Sequence, residues 1–146
     1  MDPRRFLDLA RVYKGGHATA ESYRSAISRE YYAAFNVGVE TLNTIGIQLT
    51  DGPGAHGELQ QCLGVCEDPD LDDARDLLGN LSGRRRRADY RMDAAETETR
   101  KEADIACREA AEAIRILEML INDPSKNAAI IAMKDYARDT RHLRVT

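Results

Sequence analysis

The sequence predicts an all-α fold, an antiparallel bundle of five to six helices, on three observations. Apolar residues recur at three- and four-residue spacing along most of the chain, β-branched runs with period two are absent, and the breaks between periodic stretches carry Gly, Pro or Asp. At 146 residues and 42% hydrophobic, the chain is long enough to bury a core as one domain.

The first helix is expected from Asp2 as N-cap with Pro3 at the first helical position, which puts Phe6, Leu9, Ala10 and Tyr13 on one side, and Gly15-Gly16 ends it. A long second helix follows from about Thr19 to Ile45. At 100° per residue, Ala20, Tyr23, Ile27, Tyr31, Ala34, Phe35, Gly38, Leu42 and Ile45 occupy an arc of roughly 120°, wide enough for two neighbours. Gly46 to Gly57, with four glycines and a proline, reads as an exposed loop. A short helix uses Leu59, Leu63 and Cys66, and Asp68-Pro69-Asp70 breaks and re-caps the chain. The next helix carries Leu71, Ala74, Leu77, Leu78 and Leu81, and its end is expected near Ser82-Gly83. From about Glu98 to Ile121, Ile105, Ala106, Ala110, Ala113, Ile114, Leu117, Leu120 and Ile121 line one face. The tail after Asp123-Pro124-Ser125, with Ile130, Ile131, Met133, Tyr136, Ala137 and Leu143, predicts one more helix. The expected organisation is therefore a bundle over 1–121 and a helical extension over 122–146, the extension suited to a partner contact.

Composition narrows the function classes. No apolar run approaches the roughly 20 residues that cross a bilayer, and MDPRRFLDLA lacks the pattern of a secretion signal, so a cytoplasmic protein without membrane contact is expected. Three cysteines, Cys62, Cys66 and Cys107, cannot all pair within one chain, which fits a reducing compartment. The net charge of −4 excludes a global positive field. The distribution is uneven: Arg84 to Arg87 and Arg91 form a basic knot, tempered by Asp89, ahead of a stretch from Asp93 to Glu112 with seven acids and three bases. Consecutive arginines repel one another, and a nearby anion would relieve them. Cys62, Cys66 and His56 resemble a zinc half-site, but a closed site needs four ligands, so no metal is expected. Neither a phosphate-binding loop, a dinucleotide fingerprint nor a nucleophile elbow is present, and no cofactor is expected.

Two patterns carry candidate chemistry. On the second helix, Ser25, Arg29, Tyr32 and Asn36 fall within about 60° of one another. They form either a solvated outer face or a polar groove in which Arg29 meets an anion, its planar fork donating two parallel hydrogen bonds to phosphate. The second pattern is Leu78-x-x-Leu81-x-x-x-Arg85-x-x-Ala88-Asp89-Tyr90. If the backbone there is helical, Arg85 and Asp89 pair at i, i+4, either as one more exposed ion pair or as part of an anion site.

Together, Ser25-x-x-Ser28-Arg29-x-Tyr31-Tyr32-Ala33-x-Phe35 and Arg85-x-x-Ala88-Asp89-Tyr90 resemble the HEPN superfamily, in its branch of small stand-alone bacterial and archaeal proteins, over residues 5 to 121. The resemblance implies a helical bundle that forms a homodimer with a cleft lined by both protomers. It also implies one of two activities. One is metal-independent endoribonuclease action in a toxin–antitoxin or phage-defence system. The other is partnership with a minimal nucleotidyltransferase that acts as antitoxin by modifying a tyrosine. On this chain Arg85 and Tyr90 take the catalytic positions, and Ser25, Arg29, Tyr32, Asn36, Arg84 and Asp89 the RNA- or nucleotide-binding ones. The family's nuclease signature places a histidine four to six residues after the arginine, and here Tyr90 stands five residues on. Metal-free RNA cleavage deprotonates the 2′-hydroxyl and protonates the leaving oxygen, which imidazole does near neutral pH. A phenol is a weak base there, although it donates hydrogen bonds. His17 at the second-helix start and His56 in the glycine-rich segment are the histidines that could substitute.

Overall fold

A computed structural model describes residues 1–146. The chain is all-α, with six helices: α1 (Arg5–Tyr13), α2 (Ala20–Thr44), α3 (Gly54–Gly64), α4 (Pro69–Tyr90), α5 (Arg100–Asn122) and α6 (Asn127–Asp139). Two-residue strands β1 (Ile47–Gln48) and β2 (Arg144–Val145) pair antiparallel, Ile47 opposite Val145. No helix is long and apolar enough to cross a membrane.

Side chains that accept otherwise unpaired N–H groups mark the starts of α2 and α4. At α2, Thr19 Oγ1 accepts from Ser22 N at 3.3 Å while Ser22 Oγ accepts from Thr19 N at 3.2 Å, a reciprocal cap. At α4, Asp68 Oδ1 accepts from the N–H groups of Asp70 (3.0 Å) and Leu71 (3.2 Å), with Pro69 where a missing N–H costs nothing. Asp2 bonds the Arg4 N–H at 2.9 Å, but the regular turns of α1 begin only at Arg5, later than Pro3 suggests.

Two expectations are corrected. Helix α4 does not end near Ser82-Gly83 but continues through the arginines to Tyr90. Its buried positions Leu71, Ala74, Leu78, Leu81 and Ala88 keep helical spacing straight across Gly83, and burial on that stripe outweighs one glycine's roughly 1 kcal/mol. The segment from Gly46 to Gly57 is not a continuous exposed loop: it contains β1 and the first turn of α3, and Ile47 and Leu49 are buried. Gly46 makes this possible. Its φ is +90°, and a Cβ there would lie 2.5 Å from the Thr146 carbonyl oxygen.

The chain divides into two compact units, with the divisions falling inside α2, α4 and α5. The first comprises Met1–Asn36 and Leu77–Glu112. Its core joins Ala10, Ala26, Ile27, Tyr31, Ala33, Leu78, Leu81, Ala103 and Ala106. Three buried charged side chains sit in it, Lys14, Arg24 and Glu30. Arg24 donates to the Glu98 carboxylate at 3.0 and 2.8 Å and to the carbonyls of Ala88, Arg91, Met92 and Ala94 at 3.0 to 3.4 Å, which gives acceptors at the end of α4 their donors. Glu30 is fully buried, with Lys14 Nζ at 3.1 Å from Oε1 and at 3.4 Å from Asp104 Oδ1. Neither Glu30 oxygen meets a well-aligned donor.

The second unit comprises Val37–Asp76 and Ala113–Thr146, cored by Leu42, Ile47, Leu59, Leu63, Leu71, Leu117, Leu120 and Met133. Buried Lys126 joins Asp68 (2.9 Å) and Asp70 (2.6 Å), and the Glu58 carboxylate accepts from the N–H and hydroxyl of Thr50, each at 2.9 Å. Gly38 lets α2 approach α3, since a Cβ there would meet the Leu59 side chain at 2.6 Å. Charge is segregated. The first unit holds 14 basic and 12 acidic residues, the second 7 and 13, so a net +2 stands beside a net −6.

Candidate functional site: an arginine among three tyrosines

The last turns of α4 and the middle of α2 form a polar cluster within the first unit. Arg85, its side chain 14% exposed, donates from Nε to Asp89 Oδ2 at 3.2 Å, and Ser28 Oγ donates to the same oxygen at 3.3 Å. The Arg85 guanidinium carbon lies 5.5, 5.3 and 5.7 Å from the ring centroids of Tyr31, Tyr32 and Tyr90. Cation–π attraction of this kind is worth about 0.5–2 kcal/mol per ring, and it keeps the cation in place without consuming its N–H donors. Burial works against the Arg85 charge, but a hydrogen bond with Tyr90 and the Asp89 carboxylate outweigh it, so its proton is held more tightly than in a free arginine.

The three rings differ in access. Tyr31 is buried, edge-on to Tyr32 at 5.5 Å and stacked on Phe35 at 6.0 Å. Burial pushes its hydroxyl up, with a Ser82 hydrogen bond and the Arg85 charge pulling it partly back. Tyr32 is half-buried, and Tyr90, the last residue of α4, is 69% exposed. A cation seated on a buried ring, half-shielded by a carboxylate and flanked by an exposed phenol, can hold a phosphate and offer a hydrogen bond to a sugar or base.

Of the sequence-predicted residues, the structure brings Arg85, Asp89, Tyr90 and Tyr32 together. Arg84 faces elsewhere: its guanidinium meets Glu109 at 2.9 and 3.3 Å, and Glu102 as well. Asn36 Nδ2 donates to the Tyr32 carbonyl at 2.8 Å, and Ser25 is half-buried on the same face of α2. Arg29 packs over the Phe6 ring at 5.9 Å, its Nε buried without an acceptor. The α2 stripe is thus not a solvated face; its four members are all half-buried.

The basic knot is relieved from within. Arg84, Arg85, Arg87 and Arg91 each lie beside a carboxylate, Arg87 with Glu96 at 3.6 Å and Arg91 with Asp93 at 3.1 Å. Sequence reasoning missed Arg24 and left Ser28 without a role. Ser28 was visible within the motif, whereas nothing local marks Arg24.

No histidine touches this cluster. His17 is exposed beside Gly15, Gly16 and Ser22, and His56 lies on α3 in the other unit. Cys62 and Cys66 are small packed groups, Cys66 Sγ reaching the Cys62 carbonyl at 3.4 Å. Burial pushes their thiols up to about 11 and about 12, away from the thiolate form that metals need. No group of three or more His, Cys, Asp or Glu is arranged to hold a metal ion. A groove of about 390 Å³ in the second unit includes Gln60, Gln61, Arg75 and Tyr136, but Asp72 and Asp76 already hold Arg75, at 2.8 and 3.0 Å.

No family model, curated protein or solved structure matches this chain.

Proposed function

We propose that the chain is a HEPN-type RNA- or nucleotide-binding module of a prokaryotic toxin–antitoxin or defence system, acting in the cytoplasm as a homodimer. Its contact with the ligand is the Arg85–Tyr90 cluster. One observation carries the reading: Arg85 is oriented by three rings and by Asp89, to which it donates only from Nε, so the cation is positioned while its terminal N–H groups are taken by no carboxylate. The positive balance of this unit, against the acidic balance of the other, supports the same assignment.

In this reading Arg85 holds a phosphate, and Tyr32 and Tyr90 stack on or bond the adjoining base or sugar. Binding is the primary activity. Cleavage at this Arg–Tyr site is metal-independent and slow, since a phenol replaces the imidazole that would move protons near pH 7.

Exposure of Tyr90 beside Arg85 favours a second reading, a catalytically inactive dimer whose tyrosine is presented to a minimal nucleotidyltransferase. The test is incubation of wild type and Arg85→Ala with total RNA in EDTA, alongside RNA binding across a salt series. RNA binding that weakens in the mutant, with any cleavage surviving chelation, supports the first reading. Absence of RNA binding by wild type, with a nucleotide mass added at Tyr90 on co-expression with a nucleotidyltransferase, supports the second. Wild-type binding that is unchanged in Arg85→Ala refutes the site.

A further inference from the structure

The cysteines differ in their surroundings. Cys62 and Cys66 lie in the second unit, where burial pushes both thiols up. Cys107, on α5 in the first unit, is half-buried and sits among charged groups. The end of α1, the middle of α2 and the first half of α5 bring these together. Buried Lys14 holds its Nζ 3.1 Å from the Glu30 carboxylate and 3.4 Å from that of Asp104, three residues before Cys107 on α5. The Cys107 thiol lies within hydrogen-bonding reach of both the Lys14 ammonium and the Glu30 carboxylate. Glu30 is fully buried and neither of its oxygens has a well-aligned donor, so it has room to accept a proton.

Charge balance decides how these groups share protons. Asp104 is 45% exposed and also has Arg100 at 3.9 Å, so Lys14 offsets about one further negative charge. That charge sits on Glu30 or on the Cys107 sulfur but not on both, because two anions beside one buried cation repel each other. Burial raises the Glu30 carboxyl to about 7, which suits it to take up and return a proton in the neutral range. Passing the thiol proton to Glu30 also moves the negative charge from a fully buried position to a half-buried one, where solvation is less costly to forgo. Partly exposed cysteines beside a cation are the ones that react.

We propose that Cys107 is a modification site, oxidised to a sulfenic acid by hydroperoxides, with Glu30 as its base and Lys14 as the cation that steadies the sulfur. The thiol proton passes to Glu30. The thiolate attacks one peroxide oxygen, so that an S–O bond forms as the O–O bond breaks and sulfur gives up two electrons to the peroxide. With hydrogen peroxide the departing hydroxide takes the proton from Glu30 and leaves as water, and thiol plus peroxide become sulfenic acid plus water. The site stands apart from the Arg85 cluster and does not rest on the reading of that cluster.

The experiment treats wild type, Glu30→Gln, Lys14→Gln and Cys107→Ser with hydrogen peroxide near pH 7, native and in urea, traps sulfenic acid with dimedone, and locates and times the adduct by mass spectrometry. In native wild type the adduct is expected on Cys107, forming about tenfold faster than on the same cysteine in urea. It should disappear when dithiothreitol precedes the trap, and Cys107→Ser should give no native adduct. Glu30→Gln, which keeps the shape of the side chain, should slow the reaction about tenfold with an unchanged circular dichroism spectrum. Lys14→Gln, which removes the charge, should slow it as well, and Glu30→Gln decides the matter if Lys14→Gln does not fold. Native Cys107 reacting no faster than unfolded Cys107 overturns the site. Equal rates in wild type and Glu30→Gln overturn it too, as does native labelling of Cys62 or Cys66 ahead of Cys107.

Discussion

Replacing Glu30 by glutamine should change how stability responds to pH. Glu30 is fully buried and lies 3.1 Å from Lys14. Burial raises its carboxyl to about 7 from an ordinary 4.5, against the pull of Lys14 and the Cys107 thiol. The folded state therefore holds a proton on Glu30 across a window in which the unfolded chain has released it. Stability from the neutral carboxyl is fully present below pH 4.5 and is lost as pH rises through about 7. A difference of about 2.5 units at 1.36 kcal/mol each amounts to about 3 kcal/mol. Glu30→Gln keeps the shape and removes the titration. Urea unfolding of both proteins at intervals from about pH 5 to pH 8 should show wild type losing about 3 kcal/mol relative to the variant as pH rises. A difference that stays flat, or that favours wild type as pH rises, would mean that Glu30 is ionised throughout and that its attraction to Lys14 exceeds the cost of burial.

Three further outcomes are expected. Arg24→Met should destabilise the protein by about 3 kcal/mol, since it leaves Glu98 and the carbonyls at the end of α4 without their donor; hydrogen exchange of amides 88–94 should accelerate more than that of the Leu78–Leu81 turn, and uniform acceleration would refute a local role. Gly38→Ala should lower the melting temperature by a few degrees, because a Cβ 2.6 Å from buried Leu59 costs about 1–3 kcal/mol of overpacking against about 1 kcal/mol of improved helix propensity, and a raised melting temperature would contradict the tight seat. With their thiols pushed up to about 11 and 12, Cys62 and Cys66 should resist a disulfide reagent at pH 8 in the folded protein and react once urea unfolds it; rapid labelling of either in the native state, located by mass spectrometry, would oppose their packed placement.

Much of the helical plan was legible because burial imposes its period on the chain. The α2 stripe from Ile27 to Leu42 and the α5 stripe from Ala106 to Leu120 could be read directly, and the caps at Asp68 and Asp123 sit where local chemistry puts them. The continuation of α4 was not legible. Locally, Ser82-Gly83 followed by four arginines reads as an exit, and what favours the helix comes from elsewhere: Leu81 and Ala88 at core spacing, and Arg24 on the terminal carbonyls from more than sixty residues away. The β1–β2 pair joins residues about a hundred positions apart, a closure no local pattern announces. Arg24 and Glu30 were missed because charged residues on a helix are ordinarily read as solvent-facing. At the site, the pairing of Arg85 with Asp89 was readable once helicity is granted. The ring of tyrosines around Arg85 was not, because it depends on the packing of α2 against α4 within the first unit.

Because α4 stays helical through residues 84–87, its four consecutive arginines are splayed about 100° apart and cannot act as one basic tract. Arg84 points to the acids of α5, Arg85 to the tyrosines and Arg87 to Glu96, while Arg86 lies exposed. A polyanion drawn along one flank of the rod would encounter one or two of these charges and never the quartet. Neutralising them singly should yield four dissimilar phenotypes rather than a graded series, so the run is better regarded as four addresses that happen to be adjacent in the chain.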